Sequence, residues 1–285
     1  MYKIAILGCE NSHANSFLDA VINEKIVDDI EFVGVYSADM EAAEKLREKF
    51  GVAVAQSYEE FVGKVDGIII TARHGDNHYK YAKPYIESGI PMFIDKPITC
   101  TEEHAKAFMA DLKAHNVPVC GGSACVFTDW VQSLKKDVAT EAHGKVLGGY
   151  LRAPLLTLKP HGGFFFYAQH LVQVMTEIFG CYPQSVWATE KGDTYNCLVR
   201  YRDYNVNLTY VEDNHLYYAG ISCEKAYVGD TYGLDDCFKR EFMGFYDLLC
   251  GKPQRQSYED FFAPVYIMNA IDRAIKSGEE EVIRL

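Results

Sequence analysis

The 285-residue sequence has no apolar run long enough to span a bilayer, no Cys-x-x-Cys pair, no basic cluster, no internal repeat and no low-complexity stretch. Each absence excludes something. A spanning helix needs about 20 predominantly apolar residues, so no membrane partner is expected. The nine cysteines fall at irregular spacings, which argues against a disulfide framework and against a cysteine zinc site, and for reduced core residues. A net charge of −12 without a basic cluster makes nucleic acid and anionic membranes poor partners, although local donors can still hold an anionic ligand. The opening Met1-Tyr2-Lys3-Ile4-Ala5-Ile6-Leu7-Gly8 has the pattern of a strand feeding a turn and lacks the basic start, apolar middle and cleavage site of a signal peptide. A cytoplasmic location is expected.

What is present is an alternation of short apolar runs with helical patterns. Strands are expected at 3–8, 30–36, 52–55, 67–71, 92–96 and 118–122, separated by helical segments near 12–22, 40–50, 58–62, 78–88 and 102–115. Such βαβ spacing makes a parallel, doubly wound sheet, so residues 1–122 are expected to form a Rossmann-type domain. After Gly122 the rhythm changes. Helices are expected over 127–138 and 163–180, a strand over 146–153, and then strands near 185–189, 196–202, 206–212, 217–223 and 226–228 that alternate as in a mostly antiparallel sheet. Two closing helices, 237–249 and 258–276, complete a second α+β domain, residues 123–285, with a large open sheet.

The stretch Met92-Phe93-Ile94-Asp95-Lys96-Pro97 delivers a lysine at the C-terminal end of a buried strand, where open α/β sheets bind their ligands. Lys96 is therefore a candidate catalytic group. The alternative is a solvated lysine after a strand. His74 and His78, four residues apart, suggest a metal pair, but no third ligand is evident and no metal is expected.

Together, Lys3 to Gly8, the helix from Glu41 to Gly51, Thr71 with His78, Asp95-Lys96-Pro97, Gly162-Gly163 with His170, and Ser257 to Phe261 resemble the family of glucose-fructose oxidoreductase, inositol dehydrogenase and the MocA proteins over nearly the whole chain. The resemblance implies a Rossmann domain followed by an α/β domain whose open sheet mediates oligomers, here a homodimer or homotetramer. It also implies hydride transfer between NAD or NADP and a sugar, polyol or related small hydroxy or keto compound. Lys96 is then expected beside the nicotinamide and substrate, with His170 in proton transfer and Thr71 and His78 beside the cofactor.

The departures from that pattern are specific. A dinucleotide loop uses glycines for its tight turn and for close approach to the pyrophosphate. Here Gly8 remains, Glu10 stands at the second glycine and His13 at the third. Glu10 facing the phosphates would oppose binding, and facing solvent would cost little. Asn11 and Ser12 offer donors at a helix N-terminus, and His13 supplies a donor or packs against the sheet. Ser37 replaces the acid that holds the ribose diol of NAD, which leaves space for a 2′-phosphate, with Lys45 and Arg47 further along; the alternative for Ser37-Ala38-Asp39 is a helix cap with no ligand role. Asp95 replaces the usual Glu. Around His170, Phe166 and Gln173 replace two acids that would tune the imidazole. Arg152, His161 and Tyr167 are candidates for substrate contact, with a surface arginine and an aromatic wall as the plainer readings of the first and last. These losses motivate an alternative function, an eroded family member that binds a small ligand or serves assembly without catalysis.

Overall fold

The computed structural model describes residues 1–284 and divides the chain into two units: Met1–Gly122 with Phe238–Phe261, and Ser123–Cys237 with Phe262–Leu285. The first unit is built on a five-stranded parallel sheet of β1 (Tyr2–Leu7), β2 (Ile30–Tyr36), β3 (Gly67–Ile70), β4 (Met92–Asp95) and β5 (Val119–Gly122), in the order β2-β1-β3-β4-β5. Its central strands read as near-continuous apolar runs because helices cover a parallel sheet on both faces. The expected third strand at 52–55 is reduced to one bridge. Val35 N–H donates to Ala53 O (2.8 Å) and Ala55 N–H to Val35 O (2.9 Å), which keeps the segment beside β2 without a ladder. The expected helix at 58–62 is a set of turns.

Four helices follow these strands: α1 (Ser12–Ile22), α2 (Met40–Phe50), α3 (Asp76–Ala82) and α4 (Glu102–Ala114). Their starts obey capping chemistry, with Asn11, Asp39 and Thr101 side chains accepting first-turn N–H groups of α1, α2 and α4. Asp76 accepts from Cys100 N–H (3.3 Å) and lies 3.0 Å from His104 Nδ1, tying the start of α3 to that of α4. At the β1–α1 turn Gly8 adopts φ +80°, and a Cβ there would meet the Ala72 backbone at 2.6 Å, so both the turn and the close approach of two chain segments require glycine.

The first unit also takes a helix from far along the chain. On α7 (Cys237–Leu249), Phe242, Phe245 and Leu249 share one core with Ile4, Phe17 and Phe93; Phe17 lies 5.0 Å from Phe93 and 5.7 Å from Phe242, ring centre to ring centre. The expected division at residue 122 therefore differs over Phe238–Phe261, because the apolar face of α7 is matched by aromatic rings on α1 and β4.

The second unit is a seven-stranded sheet: β6 (Val146–Leu155), β7 (Ser185–Lys191), β8 (Thr194–Arg200), β9 (Asn205–Glu212), β10 (Tyr217–Cys223), β11 (Tyr227–Tyr232) and β12 (Glu281–Val282), ordered β11-β10-β6-β9-β8-β7-β12. The β6–β9 pair is parallel and the others antiparallel. On β9 the alternation is strict: Val206, Leu208 and Tyr210 are buried while Asn205 and Asn207 are exposed. The buried face shares a core with α6 (Phe165–Phe179) and with Ile267, Met268 and Ile271 of α8 (Tyr258–Ser277). The short α5 (Asp129–Ala139) adds Val131 and Leu134. The opposite face shows Leu147, Tyr150, Trp187 and Tyr227 to solvent.

Candidate functional site

Two groups of candidate residues assemble, one in each unit. In the first unit the β1–α1 turn and the end of β4 are joined by a buried polar network. Asn11, the cap of α1, accepts from His13 N–H (2.9 Å) and donates through Nδ2 to Thr71 O (2.7 Å) and to Asp95 Oδ2 (3.1 Å). His13 Nδ1 stands 2.8 Å from the same Oδ2, an ion-pair contact whose angle is poor for a hydrogen bond. Asp95 Oδ1 accepts from Lys96 N–H (2.7 Å). Burial by itself would raise the Asp95 carboxyl, but His13, then Lys96 and His78, hold it at about 2. Lys96 is only 6% exposed, and the Lys96–Pro97 peptide is cis. The lysine is thus part of a buried arrangement and not a solvated strand end.

Several expected cofactor contacts have a different position. Thr71 is fully buried, and its Oγ1 donates to Gly8 O (2.7 Å), so it braces the turn. His78 is also fully buried, with Nε2 2.8 Å from Ala72 O and Nδ1 3.3 Å from Ile98 O; burial lowers its pKa, and the ring braces the loop after β3. His13 combines the two readings offered for it: it contacts Asp95 and packs edge-on against Phe238 at 4.8 Å. Ser12 is the exposed first residue of α1. The two ring nitrogens of His78 lie against Ala72 O and Ile98 O, and His74 Nδ1 lies 4.0 Å from Asp76 Oδ2. A different trio, His74, Asp76 and Cys100, brings donor atoms within 4.8 Å of one another, but burial and then Asp76 push the Cys100 thiol up to about 12, and Asp76 is engaged by the α4 start.

Glu10 faces neither phosphate nor open solvent. Its Oε2 accepts from Ser37 Oγ–H (2.7 Å) and its Oε1 from Arg73 N–H (3.1 Å), so the carboxylate is drawn to the ends of β2 and β3. Ser37, fully buried, accepts from Asp39 N–H (3.0 Å), while Asp39 caps α2. Lys45 and Arg47 pair with Glu41 (2.7 Å) and Glu44 (2.5 Å) on the outside of α2. The groups of a dinucleotide find matching chemistry along this edge. First-turn N–H groups of α1 have no intrahelical acceptors and suit a phosphate, and the Glu10 carboxylate suits hydroxyls.

In the second unit His170 is 6% exposed on α6, with Nδ1 2.7 Å from Ser123 Oγ and 3.5 Å from Cys125 Sγ. Gln173, in place of an acid, accepts from Ser123 N–H (2.8 Å) and from Gln169 Nε2 (3.0 Å), and so positions Ser123 under the imidazole. Tyr167 faces His170. Its ring lies 4.5 Å from that of His170, and its hydroxyl is 3.4 Å from Tyr217 Oη. The His161 ring lies tilted beside that of Phe166, 5.3 Å between ring centres. Arg152 donates to Leu216 O (3.0 Å) across the sheet and takes the plainer role, a tie at the sheet surface.

Two residues escaped the sequence reading. Ser123 follows Gly121-Gly122 with no local signal of its role. Glu241 did carry a signal: it lies three residues after Phe238 and one before Phe242 on the apolar face of α7, an unusual place for a carboxylate. It is 1% exposed, and neither oxygen has a hydrogen-bond partner among the described residues. Burial, then Asp95, push its carboxyl well above the ordinary range, against the opposing pull of Lys96.

The fold and the first group of residues define a dinucleotide-binding type of α/β protein carrying a second α+β unit. Residues 2–122, less than half of the chain, match the model of an oxidoreductase family with an NAD-binding Rossmann fold, that of glucose-fructose oxidoreductase, inositol dehydrogenase and the MocA proteins. The uncharacterized oxidoreductase YhhX of Escherichia coli strain K12 is 25% identical over 122 residues, 40% of this chain and 35% of that protein, so the match spans about a third of that relative's length. A myo-inositol dehydrogenase from Corynebacterium glutamicum superposes with a TM-score of 0.84 at 18% identity, covering 100% of this chain and 99% of its own. GenD2 from gentamicin A biosynthesis, solved in complex with NAD, gives 0.87 at 14% identity over 100% and 97%. At such identities the likeness is one of fold. No helix among the described residues is long and apolar enough to cross a membrane.

Proposed function

We propose that this protein is a nicotinamide-dependent oxidoreductase that acts on a CH–OH group, or the matching ketone, of a sugar, inositol or related small molecule. The observation that carries the reading is the buried link from the α1 cap through Asp95 to Lys96, Asn11 Nδ2 to Asp95 Oδ2 at 3.1 Å and Lys96 N–H to Asp95 Oδ1 at 2.7 Å. It ties the candidate catalytic lysine to the turn that would hold the cofactor. The family match and the fold of the NAD-bound GenD2 support the same reading.

A bound nicotinamide would supply or accept the hydride. The chain's own residues do the rest. Lys96 polarises the substrate oxygen, and its Asp95 neighbour lowers the cost of keeping a cation in a buried place. His170 exchanges the hydroxyl proton at Nε2. The Ser123 hydroxyl beside Nδ1 serves either imidazole tautomer, donating when Nδ1 is bare and accepting when it carries hydrogen, so the ring can give or take a proton at Nε2 without a carboxylate partner. Tyr167 lies against that ring and limits water around it, with its hydroxyl 3.4 Å from Tyr217 Oη.

The test is nicotinamide-linked turnover on a panel of inositols and sugars. Lys96→Met is expected to lower kcat/KM by about 10²- to 10⁴-fold while cofactor binding persists; full activity in that variant would reject the assignment. We further propose a reducing, cytoplasmic setting, in keeping with nine cysteines at irregular spacings and no Cys-x-x-Cys pair, and a homodimer or homotetramer through the open sheet face bearing Leu147, Tyr150, Trp187 and Tyr227. Light scattering that reports a monomer would refute the oligomer.

A further inference from the structure

Resting on the nicotinamide reading, we infer that Glu10 has taken over the acid position of the adenosine ribose site and makes this protein select NAD over NADP. In dinucleotide-binding domains a carboxylate at the end of the second strand accepts the ribose hydroxyls, and its absence there ordinarily signals room for a 2′-phosphate. Ser37 occupies that position here. Its hydroxyl, however, is spent on Glu10 Oε2 (2.7 Å), so a carboxylate delivered from the β1–α1 turn lies against the end of β2 after all.

The anchoring is built from both sides. Arg73 N–H holds Oε1 (3.1 Å), Ser37 Oγ–H holds Oε2, and Asp39 N–H (3.0 Å) fixes Ser37 in turn. An ionised carboxylate offers about four acceptor positions. Two are filled by these donors, and Glu10 is half-buried with no cation paired to it among the described residues, which leaves acceptor capacity for a vicinal diol. The same features oppose a 2′-phosphate. A fixed negative charge would stand against it, and the two cations on α2 nearest in sequence, Lys45 and Arg47, are engaged with Glu41 and Glu44. The substitution that looks like erosion of the glycine loop is thus a transfer of the acid from one strand end to the neighbouring turn.

The experiment is a nicotinamide-fluorescence titration with NADH and with NADPH, using the whole protein and its Glu10→Gln and Glu10→Gly variants, with thermal unfolding as a check on folding. The expected result is NADH bound about tenfold or more tighter than NADPH, with Glu10→Gln shrinking that ratio by weakening NADH and strengthening NADPH. Equal affinities, a ratio unchanged in Glu10→Gln, or NADPH preferred would overturn the inference while leaving the oxidoreductase reading intact; preference for NADPH would direct attention to the Arg73 guanidinium. A large gain of NADH affinity in Glu10→Gly would also overturn it, since Glu10 would then obstruct the cofactor. Absence of binding by the native protein and both variants would reject the nicotinamide reading itself, and the inference with it.

Discussion

At the scale of single residues, the chemistry turns on how the chain holds charge in places that water does not reach. Asp95 is the clearest case, an ionised carboxylate at 0% exposure that survives because Asn11, His13 and the Lys96 N–H converge on it. Its folded-state carboxyl, at about 2, lies below the ordinary value of about 3.9, so its contribution to stability is present above about pH 4 and is lost as pH falls from there toward 2. Removing the imidazole should expose the dependence: His13→Leu is expected to cost about 3 kcal/mol and to move the acid-unfolding midpoint to higher pH, read by urea denaturation at a series of pH values. An unchanged acid limb would mean that Asn11 and the backbone N–H alone keep Asp95 ionised.

At the scale of elements, α7 shows how one helix can both build a core and carry strain. Phe242, Phe245 and Leu249 fill the space between α1 and β4, and the same buried face carries Glu241, whose oxygens have no hydrogen-bond partner among the described residues. Because the folded state raises the Glu241 carboxyl, its contribution runs opposite to that of Asp95: it is most favourable below the unfolded value near 4.3 and is lost as pH rises through the folded one. Glu241→Met, close in volume and free of unsatisfied oxygens, is expected to stabilise the protein by about 1–3 kcal/mol at pH 8, with a smaller gain at pH 5, in thermal or urea unfolding. Equal gains at both values would show that the carboxyl does not titrate on folding.

At the scale of the whole molecule, the first unit is discontinuous in sequence, and this decides which pieces can stand alone. A fragment ending at Gly122 lacks Phe242, Phe245 and Leu249 and leaves the inner faces of Phe17 and Phe93 uncovered. It is expected to fail to give a cooperative unfolding transition, whereas a fusion of 1–122 to 238–261 through a flexible linker should recover one, as followed by circular dichroism. Cooperative unfolding of the short fragment would show that α7 is dispensable to that core.

Local patterns sufficed for much of this. Apolar runs with flanking turn residues located the Rossmann strands, the second sheet and Lys96 at a strand end, because burial on both faces of a parallel sheet and on one face of an antiparallel sheet leaves a period that can be read residue by residue. The Asn11 start of α1 was equally local. Tertiary structure alone decided what depends on distant partners: that residues 52–55 form only a bridge, that His78 and Thr71 are buried braces, that α7 belongs to the first unit, that Ser123 stands under His170, and that Glu10 bends to Ser37 and Arg73. Ser37 lies 27 residues from Glu10 and Ser123 lies 47 from His170. A hydrogen bond across such a separation is set by how the sheet brings strand ends together, and a one-dimensional pattern, which records only which residues prefer to be buried, carries no trace of that choice.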